Sequence, residues 1–261
     1  MFNISQLNEV QVLMFALILL RMSAFVVSAA IFSSQSIAAP VKILFSLVFA
    51  VVVFPPVATN EALVRLHGLQ DQLILLAARE VAIGLILGFV TRLFFFAISM
   101  AGEMVSISMG LGQAQIFNPM MGSMGNAMEQ FYTVIATLVF LALNGHHLMI
   151  QGLVESFNTS PVAQMTFQVG AFAEVVMRVQ NFFIIGIKIA APLMISMMVV
   201  QFGVALLSRV VPQINVIMTL APVTAMMGFI ILFISLPLLV MQMSGLMDFS
   251  MSEFFKFLKT I

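Results

Sequence analysis

Cysteine is absent from the 261 residues, which excludes disulfides, iron–sulfur ligation and thiol catalysis together. Tryptophan is also absent and tyrosine occurs once, although phenylalanine occurs 26 times. Membrane–water interfaces usually recruit Trp and Tyr for their polar handles. Their scarcity therefore points to apolar surface that packs on other protein chains, with compositional drift as the alternative. Charge is scarce too. Only 8% of residues are Asp, Glu, Lys or Arg, against about 25% in a soluble domain, while 62% are hydrophobic. No soluble surface can be covered with so few charges, so lipid or partner subunits must serve as solvent for much of the chain. Ten basic residues balance ten acidic ones, which leaves no electrostatic footprint for nucleic acid. Met1–Glu9 holds no Lys or Arg, whereas a secretory leader starts positive, so the first apolar run is expected to be retained.

Apolar runs of membrane-spanning length, roughly 17–25 residues, occur at Val10–Phe32, Val41–Val57, Leu73–Met100, Phe131–Ile150, Phe182–Leu207 and Ile214–Met243. They are too continuously apolar for barrel strands, which alternate. The expected fold class is all-α: membrane-type helical hairpins built from about six apolar helices. Turn chemistry separates the runs. Ser33–Ser36 with Pro40 parts a first hairpin, and Pro55-Pro56 ends its second helix, with a polar stretch carrying Glu61, Arg65, His67 and Asp71 after it. The longest irregular region is predicted from about Ser106 to Asn126, and a second polar segment from Glu155 to Gln180. Ser208–Gln213 parts a C-terminal hairpin.

Charges lie inside these runs: Arg21, Arg79-Glu80, Arg92 and Lys188. Each costs at least ~2.5 kcal/mol at a bilayer centre, so each is expected to face protein or water. Gly84 and Gly88 form a GxxxG that Glu80 and Arg92 extend at the same spacing. The four positions follow one slowly drifting helix face over roughly 18 Å. That pattern suits close helix packing and assembly; a role in ion movement is the other reading.

Between Ala101 and Gly125 the chain mixes Gly, Met and short polar residues, and Asn118-Pro119 blocks helical continuation. Glycine permits unusual backbone angles, and Met fills irregular gaps without one fixed packing. An irregular backbone at membrane depth is tolerated only where protein buries it or water lines it. Met109, Gly110, Leu111, Gly112, Gln113, Ile116, Phe117, Asn118, Pro119, Met120 and Met121 are thus candidates for a deformable channel constriction. An ordinary interfacial loop is the alternative. No catalytic constellation accompanies them. His146 and His147 are adjacent, and on a helix they should point about 100° apart rather than share a metal. Gly110-Leu111-Gly112 lacks the Lys and Ser/Thr of a phosphate loop. No enzyme activity, cofactor or metal is expected.

Ala101-Gly102-Glu103, Met109-Gly110-Leu111 and Asn118-Pro119 recur in order with Asn144-Gly145-His146-His147-Leu148, Ser156-Phe157 and Pro161. They are followed by Arg209-Val210-Val211-Pro212-Gln213-Ile214-Asn215-Val216. This series resembles the FliR family, which includes the T component of injectisome export gates. Gln201, Ala205 and Asn118 depart from the family's usual residues, so no charge role is carried over there. The resemblance implies a non-enzymatic subunit of a flagellar type III protein export gate in the bacterial inner membrane, within the flagellar basal body. It implies FliP-like and FliQ-like partners, contact with an FlhB-like subunit, and unfolded flagellar proteins as cargo. Residues 1–175 would form a FliP-like part with a plug loop at 106–121, and 176–261 a FliQ-like hairpin. Arg209, Pro212, Gln213 and Asn215 would serve packing and assembly. The competing reading is a secondary transporter or proton-conducting subunit that uses Arg79, Glu80 and Lys188 as relay groups.

Overall fold

The structure is a computed structural model that describes residues 9–33, 37–111, 127–162, 170–210 and 216–259. Among these residues it is all-α. In chain order the helices are α1 (Glu9–Ser28), α2 (Ala30–Ser33), α3 (Ala39–Val57), α4 (Asn60–His67), α5 (Leu73–Ser108), α6 (Ala127–Ala142), α7 (Gly145–Thr159), α8 (Gly170–Val210) and α9 (Val216–Leu258), with a 3₁₀ turn at Gln70–Gln72.

Local chemistry explains most of the boundaries. Pro40 sits in the first turn of α3, where its missing N–H costs nothing, and α3 closes at Val57 just past Pro55-Pro56. The polar stretch after it is a helix rather than a loop. The Thr59 hydroxyl accepts from the Ala62 N–H, Glu61 lies in the first turn of α4, and Arg65 and His67 lie in the last. That arrangement satisfies an orphan amide and complements the helix dipole at both ends.

Three expectations about boundaries need correction. The run read as one helix over Phe131–Ile150 is two, α6 and α7, because Asn144 takes φ 55 and stops the first. Asn is among the few residues that enter this left-handed region easily. The irregular stretch expected from Ser106 begins later, since α5 continues to Ser108. The polar segment expected over Glu155–Gln180 is helical at both ends, in α7 up to Thr159 and in α8 from Gly170. Hydropathy marks where a helix is apolar, whereas backbone hydrogen bonding carries it on into polar sequence.

Among the described residues five helices or helix segments are long and apolar enough to cross a membrane: Glu9–Ser28, Ala39–Val57, Leu73–Ser108, Val179–Val210 and Pro222–Leu258. Counting α6 and α7 as one broken span gives six.

The chain divides into two compact units. One comprises residues 1–93, 146–178 and 250–261. Its α1 packs on α3, with Phe15 edge-on to Phe54 at 5.8 Å. Met14, Ile18 and Phe25 of α1, and Phe254 and Phe257 near the end of α9, are buried in it. Gly152 of α7 leaves just enough room for the Phe254 ring. The other unit comprises residues 94–145 and 179–249. Phe94, Tyr132, Phe140, Phe182 and Met243 are buried in it, and Phe182 meets Phe249 at 5.6 Å.

Candidate functional site

In the first unit, α1, α5 and the end of α7 meet around a buried charge cluster. Arg21 of α1 is 0% exposed. Its Nε donates to Glu80 Oε2 at 2.6 Å, its Nη1 to the Ser156 carbonyl at 2.9 Å and the Ser156 hydroxyl at 3.2 Å, and its Nη2 to the Ser160 carbonyl at 2.9 Å. The guanidinium also lies over the Phe157 ring, 4.2 Å from its centroid. Arg79 completes the cluster. Its Nη1 donates to Glu80 Oε1 at 3.1 Å and the Pro161 carbonyl at 3.3 Å, and its Nη2 to the Ser160 hydroxyl at 2.6 Å.

Two guanidiniums thus share one carboxylate, and the carbonyls at the C-terminal end of α7 supply the remaining negative partial charge. A helix C-terminus has unpaired carbonyls and favours cations. The cluster joins three elements by charge-assisted bonds, and removal of one partner from such a buried set costs about 3–5 kcal/mol.

Gly84 and Gly88 let α5 approach α1 closely beside this cluster. A Cβ on Gly84 would overlap the Arg21 carbonyl and lie 2.8 Å from Ala24 Cβ. One on Gly88 would overlap the Ser28 hydroxyl and lie 2.9 Å from the Phe25 carbonyl. Glu80, Gly84 and Gly88 are all buried, whereas Arg92 is exposed. A four-residue step overshoots a full turn by about 40°, so three steps carry Arg92 about 120° off the packed face.

In the second unit the end of α5 is closed by its own backbone. The Gly110 N–H donates to the Ile107 carbonyl at 3.1 Å and the Leu111 N–H to the Ser106 carbonyl at 3.1 Å, with Gly110 at φ 76. This pair of bonds is a Schellman cap, and its left-handed position is one that glycine fills without strain. Met109 is buried and Leu111 half-buried. The remaining constriction candidates, Gly112, Gln113, Ile116, Phe117, Asn118, Pro119, Met120 and Met121, lie outside the described residues, as do Pro212, Gln213 and Asn215. Arg209 is exposed in the last turn of α8, and Lys188 is exposed on the same helix.

The His146 and His147 rings lie 4.1 Å apart between centroids, tilted by 39°, closer than the divergent directions of neighbouring helix positions suggest. Among the described residues no group of three or more His, Cys, Asp or Glu is placed to hold a metal ion. Sequence reasoning singled out Arg21 as a charge in need of cover but did not reach Ser156 and Ser160 as its partners. Ser156 stood out in the sequence as part of the Ser156-Phe157 motif, and Ser160 only as a short polar residue before Pro161.

The family model described as "Bacterial export proteins, family 1" matches residues 12–250. The flagellar biosynthetic protein FliR of Aquifex aeolicus (strain VF5) is 35% identical over 219 residues, 81% of this chain and 78% of that protein. The chain belongs to the FliR family. Another FliR-family relative, the flagellar biosynthetic protein FliR of Bacillus subtilis (strain 168), is 30% identical over 84% of this chain and 85% of its own length. That of Escherichia coli (strain K12) is 27% identical over 85% and 83% respectively. The charge cluster and the α5 cap both fall inside the range that the FliR-family model matches.

Proposed function

We propose that the chain is a non-enzymatic core subunit of a flagellar type III protein export gate in the bacterial inner membrane, within the flagellar basal body. It assembles with FliP-like and FliQ-like subunits and meets an FlhB-like subunit. Residues 1–175 play the FliP-like part and 176–261 the FliQ-like hairpin. The segment that leaves α5, Met109–Met121, closes the channel through which unfolded flagellar proteins pass. The observation that carries this reading is the family match over residues 12–250, with relatives that are flagellar biosynthetic proteins.

Physical features support it. The spans in α3, α8 and α9 are strongly apolar, yet only 22%, 28% and 17% of their most apolar windows are buried within the chain. Faces of that kind await neighbours. Both carboxylate oxygens of Glu80 are held by guanidiniums within a buried set of charge-assisted bonds. That favours a structural cluster over the relay role that a transporter would need. Deletion of residues 112–121 should leave the gate assembled and make it leak ions, read as potassium efflux from liposomes that carry the purified complex. Unchanged tightness would remove the channel-closing role.

A further inference from the structure

At the end of α5 the Val105 carbonyl still takes its ordinary helical bond, from the Met109 N–H at 2.9 Å, whereas among the described residues the carbonyls of Ser106, Ile107 and Ser108 take none. Two of these three are satisfied by the cap, Ser106 by the Leu111 N–H and Ile107 by the Gly110 N–H, both at 3.1 Å. The third, Ser108, accepts from the Gln201 side-chain amide of α8 at 2.7 Å. Gln201 is a polar side chain on an otherwise apolar stretch, next to Met198, Val199 and Phe202, all more than 60% exposed. In apolar surroundings such a bond has no water to replace it.

A second contact reaches the same point from α9. Met109 is 0% exposed and its side chain sits in a notch at Gly228, where a Cβ would lie 2.7 Å from Met109 Cγ and Cε and 3.3 Å from Sδ. The crowding includes Cγ, next to the main chain, so the side chain cannot yield by moving its far end alone.

We propose that Gln201 and Gly228 are positioning residues: together they fasten the end of α5 to the C-terminal hairpin and so fix the point and direction at which the chain leaves Gly110. The proposal rests on the channel-closing role given above to the segment that follows. Through these two contacts α8 and α9 govern that segment without touching cargo. A displacement of the hairpin moves the end of α5 with it.

The test uses the assembled gate in liposomes, with complex yield and potassium efflux read separately. Gln201→Leu removes the donor at an exposed position, and Gly228→Val fills the notch. Each is expected to leave complex yield unchanged and to raise efflux, for Gln201→Leu roughly fivefold, the factor that one lost hydrogen bond carries in an equilibrium. A purely structural role would lower yield and leave the surviving complexes tight, which would overturn the proposal. If Gly228→Val does not assemble, Gln201→Leu decides alone: leak supports the proposal and tightness sinks it. If deletion of 112–121 leaks but these variants do not, only the positioning role fails. If the deletion itself is tight, the channel-closing reading fails first.

Discussion

Arg21 and Glu80 are 59 residues apart in sequence and 2.6 Å apart in space. Each is expensive in a membrane on its own, so their burial was expected to require protein cover. That much could be read from two charges within apolar runs. The partners could not, because the Ser156 carbonyl is 135 residues from Arg21 and offers a backbone oxygen that any residue carries. The cluster is unforgiving of single changes. Glu80→Ala leaves two buried guanidiniums facing each other and should cost about 3–5 kcal/mol, read as loss of the chain from membranes or a lower unfolding temperature of the purified complex. Arg21→Lys should also destabilise it, because one ammonium cannot span Glu80, Ser156 and Ser160 as the planar fork does. Normal abundance of both variants would contradict the cluster's role. Gly84→Leu belongs at this scale as well. Its side chain would strike α1 of the same chain, so the expected defect is in the fold of the chain, with failed assembly as the consequence. Intact complexes containing Gly84→Leu would refute it.

The helices obey their caps more closely than their hydropathy. The long apolar runs located α1, α3 and the middle of α5 well, since nothing polar competes there. The ends were harder to place, because α8 starts at Gly170 and α9 continues to Leu258, well outside the apolar runs Phe182–Leu207 and Ile214–Met243. Asn144 was legible as part of a family motif, while its role as the breaker between α6 and α7 depends on a dihedral angle that the sequence does not fix. Gly110 was chosen for backbone freedom, and the structure gives that freedom a specific use in a Schellman cap. Gly110→Ala should cost about 1–2 kcal/mol by forcing a Cβ into the left-handed region, and Gly110→Asn should cost less because Asn tolerates that region. Thermal unfolding of the complex, measured in both variants, checks the order. Equal stability of Gly110→Ala and the unaltered protein would rule out the cap.

At the scale of the whole molecule, the exposed apolar faces are the dominant feature. Ile43, Leu44, Val52, Val199, Phe202 and Phe233 are each more than 60% exposed, and they lie on α3, α8 and α9. An apolar surface of this extent is either wetted by lipid or covered by protein. The shortage of Trp and Tyr argues for protein, as does the exposure of Arg92 and Lys188 on apolar helices. The composition already pointed there, although it could not say which helices face outward. The most direct measurement is purification of the tagged, full-length chain from its own membranes in mild detergent, followed by native mass determination of the particle. The expected result is one discrete hetero-oligomer with FliP-like and FliQ-like subunits and no stable free chain. A folded, monodisperse monomer that carries only detergent and lipid would contradict the account.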